Sequence, residues 1–368
     1  YLVTRFNEQV SLDSLQYLEM VKYFSKQTLF LKIMKVSPIY NLKLENLLIL
    51  LRRFMCLQAL RKSQEEQIFP FEIYLAIHCF TNEYIYPVTD EEISNIIKIE
   101  NKILGLTKKN RKIPVYLFTT LAAYRPLSDY KWAKTLENVS ETEDIDELLR
   151  IQIIEVYEEQ SLHSKIQKLT PIKNRVSKAV QGQYEENPYP RWINPNVVTK
   201  KRTIESILQG SPLRFELESY NSPKAPEILV AGCGTGQHAI DVAARYEGAK
   251  VLALDLSISS LSYGLRKSME LGFDNITFAQ GDIMHLIDIK KSFDLIESVG
   301  VLHHLEAPLS GWRILKDLLR PKGFMKIGLY SELARKDITF WRSQFSKRKE
   351  TATNHEMREF RQKILKEN

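Results

Sequence analysis

The sequence predicts an α/β protein, a parallel sheet wrapped by helices, preceded by a domain built only of helices. Three observations carry that expectation. From residue 227 onward, short apolar runs alternate with amphipathic stretches at helical spacing, the pattern of a parallel sheet. The run Ile228-Leu229-Val230-Ala231 passes without a polar break into Gly232-Cys233-Gly234-Thr235-Gly236, and a helix then opens with Ala239, Ile240, Val242 and Ala243 on one side. Residues 1–175 show no such alternation and read as nearly all helix. A strand, a glycine turn and a helix start make an anion-tolerant pocket. Glycine lets backbone approach a ligand, and the free N–H groups of the first helical turn favour negative charge.

Residues 1–175 form the first expected domain. Residues 44–60 are densely apolar at helical spacing, rich in Leu and free of Gly and Pro, which predicts a central core helix. Residues 71–84 give a second, through Ile73, Leu75, Ala76, Cys79 and Phe80. Thr89-Asp90-Glu91-Glu92 has the form of a capping box and opens a helix expected to turn Ile93, Ile96, Ile97, Ile99 and Ile103 inward before ending near Gly105. Residues 114–124 and 145–162 continue the pattern. The stretches suggest stacked helical hairpins, yet no fixed-period repeat is present. Apolar stripes of this kind mostly build cores, so the plain reading is a helical cap or interaction domain.

Residues 176–226 are expected to connect the two domains. Gln183-Tyr184-Glu185-Glu186-Asn187-Pro188-Tyr189-Pro190-Arg191-Trp192 packs prolines and aromatics together, as a rigid segment laid over a surface would. Either it is a packed linker, or Tyr184, Arg191 or Trp192 closes over the ligand pocket. Asn187-Pro188-Tyr189 has the look of an amino-methylation motif, but it lies upstream of the glycine loop and that reading is rejected.

In the third segment, residues 227–368, the strand ending at Ala231 is followed by four more. Residues 250–254 form the second, ending at Asp255, and residues 276–279 the third, before Gly281-Asp282. Residues 293–298 form the fourth and lead into Val299-Gly300-Val301-Leu302-His303-His304-Leu305. A helix ends at Pro321-Lys322-Gly323, and residues 324–330 form the fifth. Residues 331–368 are polar and helical in character, with no further strand.

Composition narrows the function classes. The 368 residues are 44% hydrophobic and 26% charged, which suits a globular protein with a sizeable core. The net charge of +7 comes from 52 basic residues interspersed with 45 acidic ones. The basic runs Lys108-Lys109-Asn110-Arg111-Lys112 and Lys347-Arg348-Lys349 are short, whereas a nucleic-acid site usually needs a continuous stripe. Cys56, Cys79 and Cys233 are too scattered for a disulfide framework or a metal site and fit a reducing cytoplasm. No apolar stretch approaches the 18 or so residues of a membrane span. The chain begins at Tyr1 within helical sequence, so a fragment is expected.

Asp255 lies 19 residues beyond Gly236 at a strand tip, where an acidic side chain of a doubly wound nucleotide fold accepts ribose hydroxyls. A dinucleotide loop spaces its glycines Gly-x-Gly-x-x-Gly; here the third comes one residue early. Asp282 at the next strand end is placed for an adenine amino group, and Leu319-Arg320-Pro321-Lys322-Gly323-Phe324 turns into the fifth strand.

On these residues, positions 227–330 resemble the class I S-adenosylmethionine-dependent methyltransferases, with their Rossmann-like sheet. The resemblance implies S-adenosylmethionine as cofactor and a cofactor site of Gly232, Cys233, Gly234, Gly236, Asp255, Leu256, Asp282, Ile283, Ser298 and Val299. Gly232, Gly234 and Gly236 would pack under the methionine part, Asp255 would hold the ribose, and Asp282 with Ile283 would frame the adenine. With Ala76-Ile77-His78-Cys79-Phe80-Thr81-Asn82-Glu83-Tyr84 and Leu121-Ala122-Ala123-Tyr124-Arg125-Pro126-Leu127, the segment Tyr184 to Trp192 also looks similar to bacterial methyltransferases carrying an N-terminal tetratricopeptide-type helical region. Members of the class close the sheet with a sixth and a seventh strand, which residues 331–368 do not supply, so truncation at the C-terminus is expected.

The resulting expectation is methyl transfer by in-line attack on the cofactor methyl group, without a metal. The acceptor is unidentified, a small molecule or protein rather than nucleic acid, and the helical domain recruits it or a protein partner. A hydroxyl acceptor requires a base, for which His303 and His304 are the candidates; the other role open to them is shaping the loop. His238 is expected to cap or pack near the loop. The alternatives are a helical interaction protein whose methyltransferase domain binds cofactor without turnover, and an RNA methyltransferase. An oxidoreductase stands last.

Overall fold

The computed structural model describes residues 13–61, 68–137, 139–186, 188, 190–195, 200–218, 220–346 and 354–367. The basic run 347–349, Asn187 and Tyr189 lie outside them. The described chain divides into two compact units, one of residues up to 157 together with those from 340 on, the other Glu158–Thr339.

The first unit is helical. It contains α1 (Ser14–Ser25), α2 (Thr28–Val36), α3 (Leu42–Arg61), α4 (Pro70–Thr81), α5 (Asp90–Thr107), α6 (Val115–Ala122), α7 (Glu143–Leu149) and α8 (Glu155–Leu162), the last running on into the second unit. Thr89 caps α5 as its sequence implies: its Oγ1 accepts from the Glu92 N–H, while Glu92 Oε2 accepts from the Thr89 N–H. The inward face of α5 differs from the expected one. Ile99 and Ile103 are buried, but Ile93 and Ile97 are exposed, and Glu92 and Asn95 occupy the buried stripe instead. The reason is Arg52 on α3, which is buried and bonds Glu92 Oε1 at 3.2 Å. That pairing turns the helix so that positions 92, 95, 99, 103 and 106 face inward.

Between α7 and α8 the chain makes a π-helical turn, Arg150–Ile154, which carries Gln152 into the core. Its amide accepts from the Leu127 N–H and donates to the carbonyls of Ala76 and Ala122, satisfying three buried backbone groups at once. Two further helices come later in sequence, α14 (Lys336–Ser346), which starts within the second unit, and α15 (Asn354–Glu367). The Arg361 guanidinium of α15 forks onto the buried Glu45 carboxylate, at 2.6 and 2.8 Å.

The second unit holds a six-stranded sheet, β1 (Gln167–Lys168), β2 (Glu227–Ala231), β3 (Lys250–Asp255), β4 (Ile276–Gln280), β5 (Phe293–Val299) and β6 (Leu319–Gly328), in the order β1-β4-β3-β2-β5-β6. Every pairing is parallel. The five expected strands are β2 to β6, while β1 lies within the stretch expected to be helical and pairs Gln167 with Ala279 at the β4 edge. Among the described residues beyond Gly328 no strand follows. The helices of this unit are α9 (Arg175–Glu186), α10 (Ile204–Gln209), α11 (Gln237–Arg245), α12 (Ile258–Glu270) and α13 (Pro308–Asp317). One sheet face packs Ile228, Val230 and Val251 against Ala239, Val242 and Leu261; the other packs Leu229, Leu252 and Ile296 against Leu302 and Leu315. Asp294 of β5 pins the far end of the sheet, accepting from the Glu227 N–H at 2.8 Å and from Arg320 of β6 at 2.7 Å.

Candidate active site

A cavity of about 440 Å³ opens where the glycine loop meets the carboxyl ends of the strands. Crevices at that edge of open parallel sheets are where ligands bind. The loop is closely packed: Gly232 has φ +79, and a Cβ added there would lie 2.4 Å from a methyl of Val301, which also lines the cavity. Gly236 serves differently: it caps α11 with φ +84 and does not line the cavity, because its α-carbon sits against Gly264 of α12, where an added Cβ would come within 2.8 Å. It sets the approach of two helices rather than a contact with ligand.

At one end the cavity is walled by Leu254, Asp255, Leu256, Gly281, Asp282 and Ile283. Asp255 is fixed by the loop it faces, since Gly234 N–H donates to its Oδ2 at 2.8 Å and Ser257 N–H to its Oδ1 at 3.1 Å. Burial pushes its carboxyl above the ordinary value; those backbone donors work the other way and limit the rise. Asp282 caps the turn after β4, with Oδ1 accepting from the Met284 N–H at 2.9 Å. Its Oδ2 is buried and has no hydrogen-bond partner among the described residues. A buried carboxylate oxygen left open on a cavity wall is an acceptor waiting for a donor.

At the other end lie Val299, Gly300, Val301, His304, Leu305 and Tyr330, with Gln237, His238 and Lys326. Val299 therefore faces the cavity, whereas Ser298, one residue earlier on the strand, points into the sheet and donates to the Ala231 carbonyl at 3.0 Å. The paired histidines separate in the same way. The short turn Leu302–His304 leaves His304 on the wall, while His303 is not among the lining residues and stacks between His304 and Tyr330, with ring centroids 4.2 and 4.1 Å away. Burial, with His304 and Arg335 nearby, lowers its pKa. Cys233 lines the cavity, and burial holds its thiol protonated.

The connecting segment supplies the remaining wall. Residues 176–186, expected as linker up to the proline cluster, belong to the helix α9, whose Ser177, Val180 and Tyr184 line the cavity together with Pro190. Glu185 anchors this helix by accepting from the Ile258 and Ser259 N–H groups at the start of α12, at 2.8 and 2.9 Å. Of the three residues considered for closure, Tyr184 lines the cavity. Trp192 is buried behind the glycine loop, its indole N–H donating to the Thr235 carbonyl at 3.1 Å, and Arg191 is not among the lining residues. Lys326, Tyr330 and Glu297 were not singled out from sequence. The signal available for two of them was a charge set directly against apolar strand residues, Glu297 after Leu295-Ile296 in β5 and Lys326 between Met325 and Ile327 in β6.

Glycine loop, acidic strand tips and strand order together define a Rossmann-like methyltransferase fold, and residues 224–367 match the family model described as a methyltransferase domain. S-adenosylmethionine is the cofactor of this domain, and the cavity presents groups whose chemistry suits it: a glycine loop, the Asp255 carboxylate and an unsatisfied acceptor at Asp282. Over 107 residues the chain is 34% identical to trans-aconitate 2-methyltransferase of Deinococcus radiodurans, covering 28% of this chain and 39% of that protein. It is 32% identical over 115 residues to a ubiquinone biosynthesis O-methyltransferase of Nitrosococcus oceani, covering 31% and 48% respectively. A solved S-adenosylmethionine-dependent methyltransferase from Clostridium acetobutylicum aligns at 24% identity and TM-score 0.26, over 30% of this chain and 46% of that one. The chain spans about half or less of the length of the curated relatives it matches.

Proposed function

We propose that the protein transfers the methyl group of S-adenosylmethionine to an acceptor bound at the Val299–Tyr330 end of the cavity. The observation that carries the reading is the open, buried Oδ2 of Asp282, in one cavity with Asp255 and the glycine loop. In this reading Asp255 accepts from the ribose hydroxyls and Asp282 Oδ2 from the adenine amino group, while the first turn of α11 holds the carboxylate of the methionine part. The sulfonium supplies a good leaving group, so the chain's work is to orient the acceptor and exclude water, with α9 covering the cavity. The relatives named above act, by their names, on unlike acceptors, and the acceptor here follows from none of them. The helical unit is the candidate for recruiting acceptor or partner.

Calorimetric titration with S-adenosylhomocysteine tests the reading. Micromolar binding is expected, falling at least tenfold in Asp255→Ala while circular dichroism shows both proteins folded. A folded protein that binds neither S-adenosylhomocysteine nor S-adenosylmethionine sinks it.

A further inference from the structure

Glu297 sits in the middle of β5 with none of its side chain exposed. A carboxylate there is costly unless donors surround it, and they do. His238 Nε2 lies 2.7 Å from Oε2, Lys326 Nζ is 3.1 Å from the same oxygen, and the Tyr246 hydroxyl donates to Oε1 at 3.2 Å. Arg245 reaches Oε1 at 4.0 Å, with Asp241 as its other partner. Burial alone would push this carboxyl up; the hydrogen bond from His238, the charge of that ring when it is protonated, and Lys326 outweigh it and bring it to about 2. Glu297 is therefore ionised near neutrality and can only accept.

That fixes the chemistry of its neighbour. Because Glu297 accepts, the bridging proton belongs to His238 Nε2, and in the neutral ring Nδ1 is left as a lone pair. Nδ1 makes no hydrogen bond among the described residues, and His238 stands on the cavity wall at the end that also presents Val299, Gly300 and Tyr330. A carboxylate behind an imidazole, with the far nitrogen open to a ligand cavity, is an arrangement that holds one tautomer and stabilises the imidazolium formed on proton uptake.

We propose that His238, oriented by Glu297, is the residue that takes the proton from a hydroxyl group of the methyl acceptor. The inference rests on the methyl-transfer reading. The acceptor O–H gives its proton to Nδ1, and the oxygen forms its bond to the methyl carbon. The carbon–sulfur bond breaks as this happens, and its electron pair leaves on sulfur as the neutral thioether. The imidazolium then returns the proton to water. His238 is the catalytic group; Glu297 is a positioning residue, since it acts through the ring.

Nitrogen-15 NMR of histidine-labelled protein with bound S-adenosylhomocysteine, the His238 signals being assigned by their loss in His238→Asn, tests the proposal without needing the acceptor. In its neutral form the ring should carry its proton on Nε2 and leave Nδ1 bare, and Glu297→Gln should remove that preference. The wild-type spectrum decides the matter even if Glu297→Gln fails to fold. Calorimetry supplies the second arm: His238→Asn should bind S-adenosylhomocysteine within threefold of wild type, against the tenfold or greater loss in Asp255→Ala. A neutral ring with its proton on Nδ1, or a tenfold affinity loss in His238→Asn, overturns the assignment, the latter by making His238 a holder of the cofactor. Failure of the wild type to bind S-adenosylhomocysteine would instead strike the methyl-transfer reading itself.

Discussion

Glu297 ties stability to acidity in a way that one residue can be made to report. Its value of about 2 lies below the ordinary 4.5, so in falling pH the unfolded chain takes up the proton first. The stabilisation is complete above about pH 4.5 and is lost as pH falls through about 2. A shift of that size is worth about 3 kcal/mol to the unit that contains it. Urea unfolding of the sheet, followed between pH 5 and pH 2.5, should therefore steepen in wild type, and Glu297→Gln should show a flatter dependence. Equal slopes would mean that the contacts around the carboxylate contribute nothing to folding. The physical reason for expecting otherwise is the company it keeps: Tyr246 and the strand interior shield the site from solvent, so screening is weak there.

In the helical unit the corresponding feature spans two elements. Arg52 of α3 and Glu92 of α5 are both buried, and the Tyr124 hydroxyl donates to the same Glu92 oxygen at 2.7 Å. Arg52 also bonds the Pro87 carbonyl at 2.6 Å and stacks over the Tyr124 ring at 4.3 Å. Removing one partner of a buried pair costs about 3–5 kcal/mol when the charge left behind has no other partner; here Arg53 Nε, 3.2 Å from Glu92 Oε2, still compensates part of it. Arg52→Met should therefore cost the helical unit less than that amount in urea, and Arg52→Met combined with Glu92→Gln should recover part of it. Additive costs would show that the two side chains do not act as a pair. The same pair shows where reading from sequence reaches its limit. The capping box at Thr89 and the strand–glycine–helix unit at residues 228–243 were legible because each is specified by its own local neighbours. The face that α5 turns inward was not, because a partner on α3 decides whether position 92 or position 93 is buried. Likewise β1 has only two residues and no period of its own, and Glu297, His238 and Lys326 meet only once three elements are assembled.

At the scale of the molecule the hydrophobic residues fall into separate cores. One runs through helices α1 to α7 and the π-turn, from Tyr17 to Ile153; the clusters of the sheet unit run from Ile166 to Leu318. Elements that share a core open together, and those that do not can open at different free energies. A ligand stabilises only what must be folded to bind it, by about 2.7 kcal/mol at a free concentration of 100 Kd, which is a factor of about one hundred in the opening equilibrium. Every residue that lines the cavity lies within Glu158–Thr339. Hydrogen exchange followed by mass spectrometry, with and without S-adenosylhomocysteine at that excess, separates the units. Amides of β2 and β3 that exchange through opening of the sheet should slow by up to about a hundredfold, and those of α6 should keep their rate. Equal slowing in α6 and in the sheet would mean that the two cores open as one cooperative body, and the helical unit would then belong to the energetics of cofactor binding.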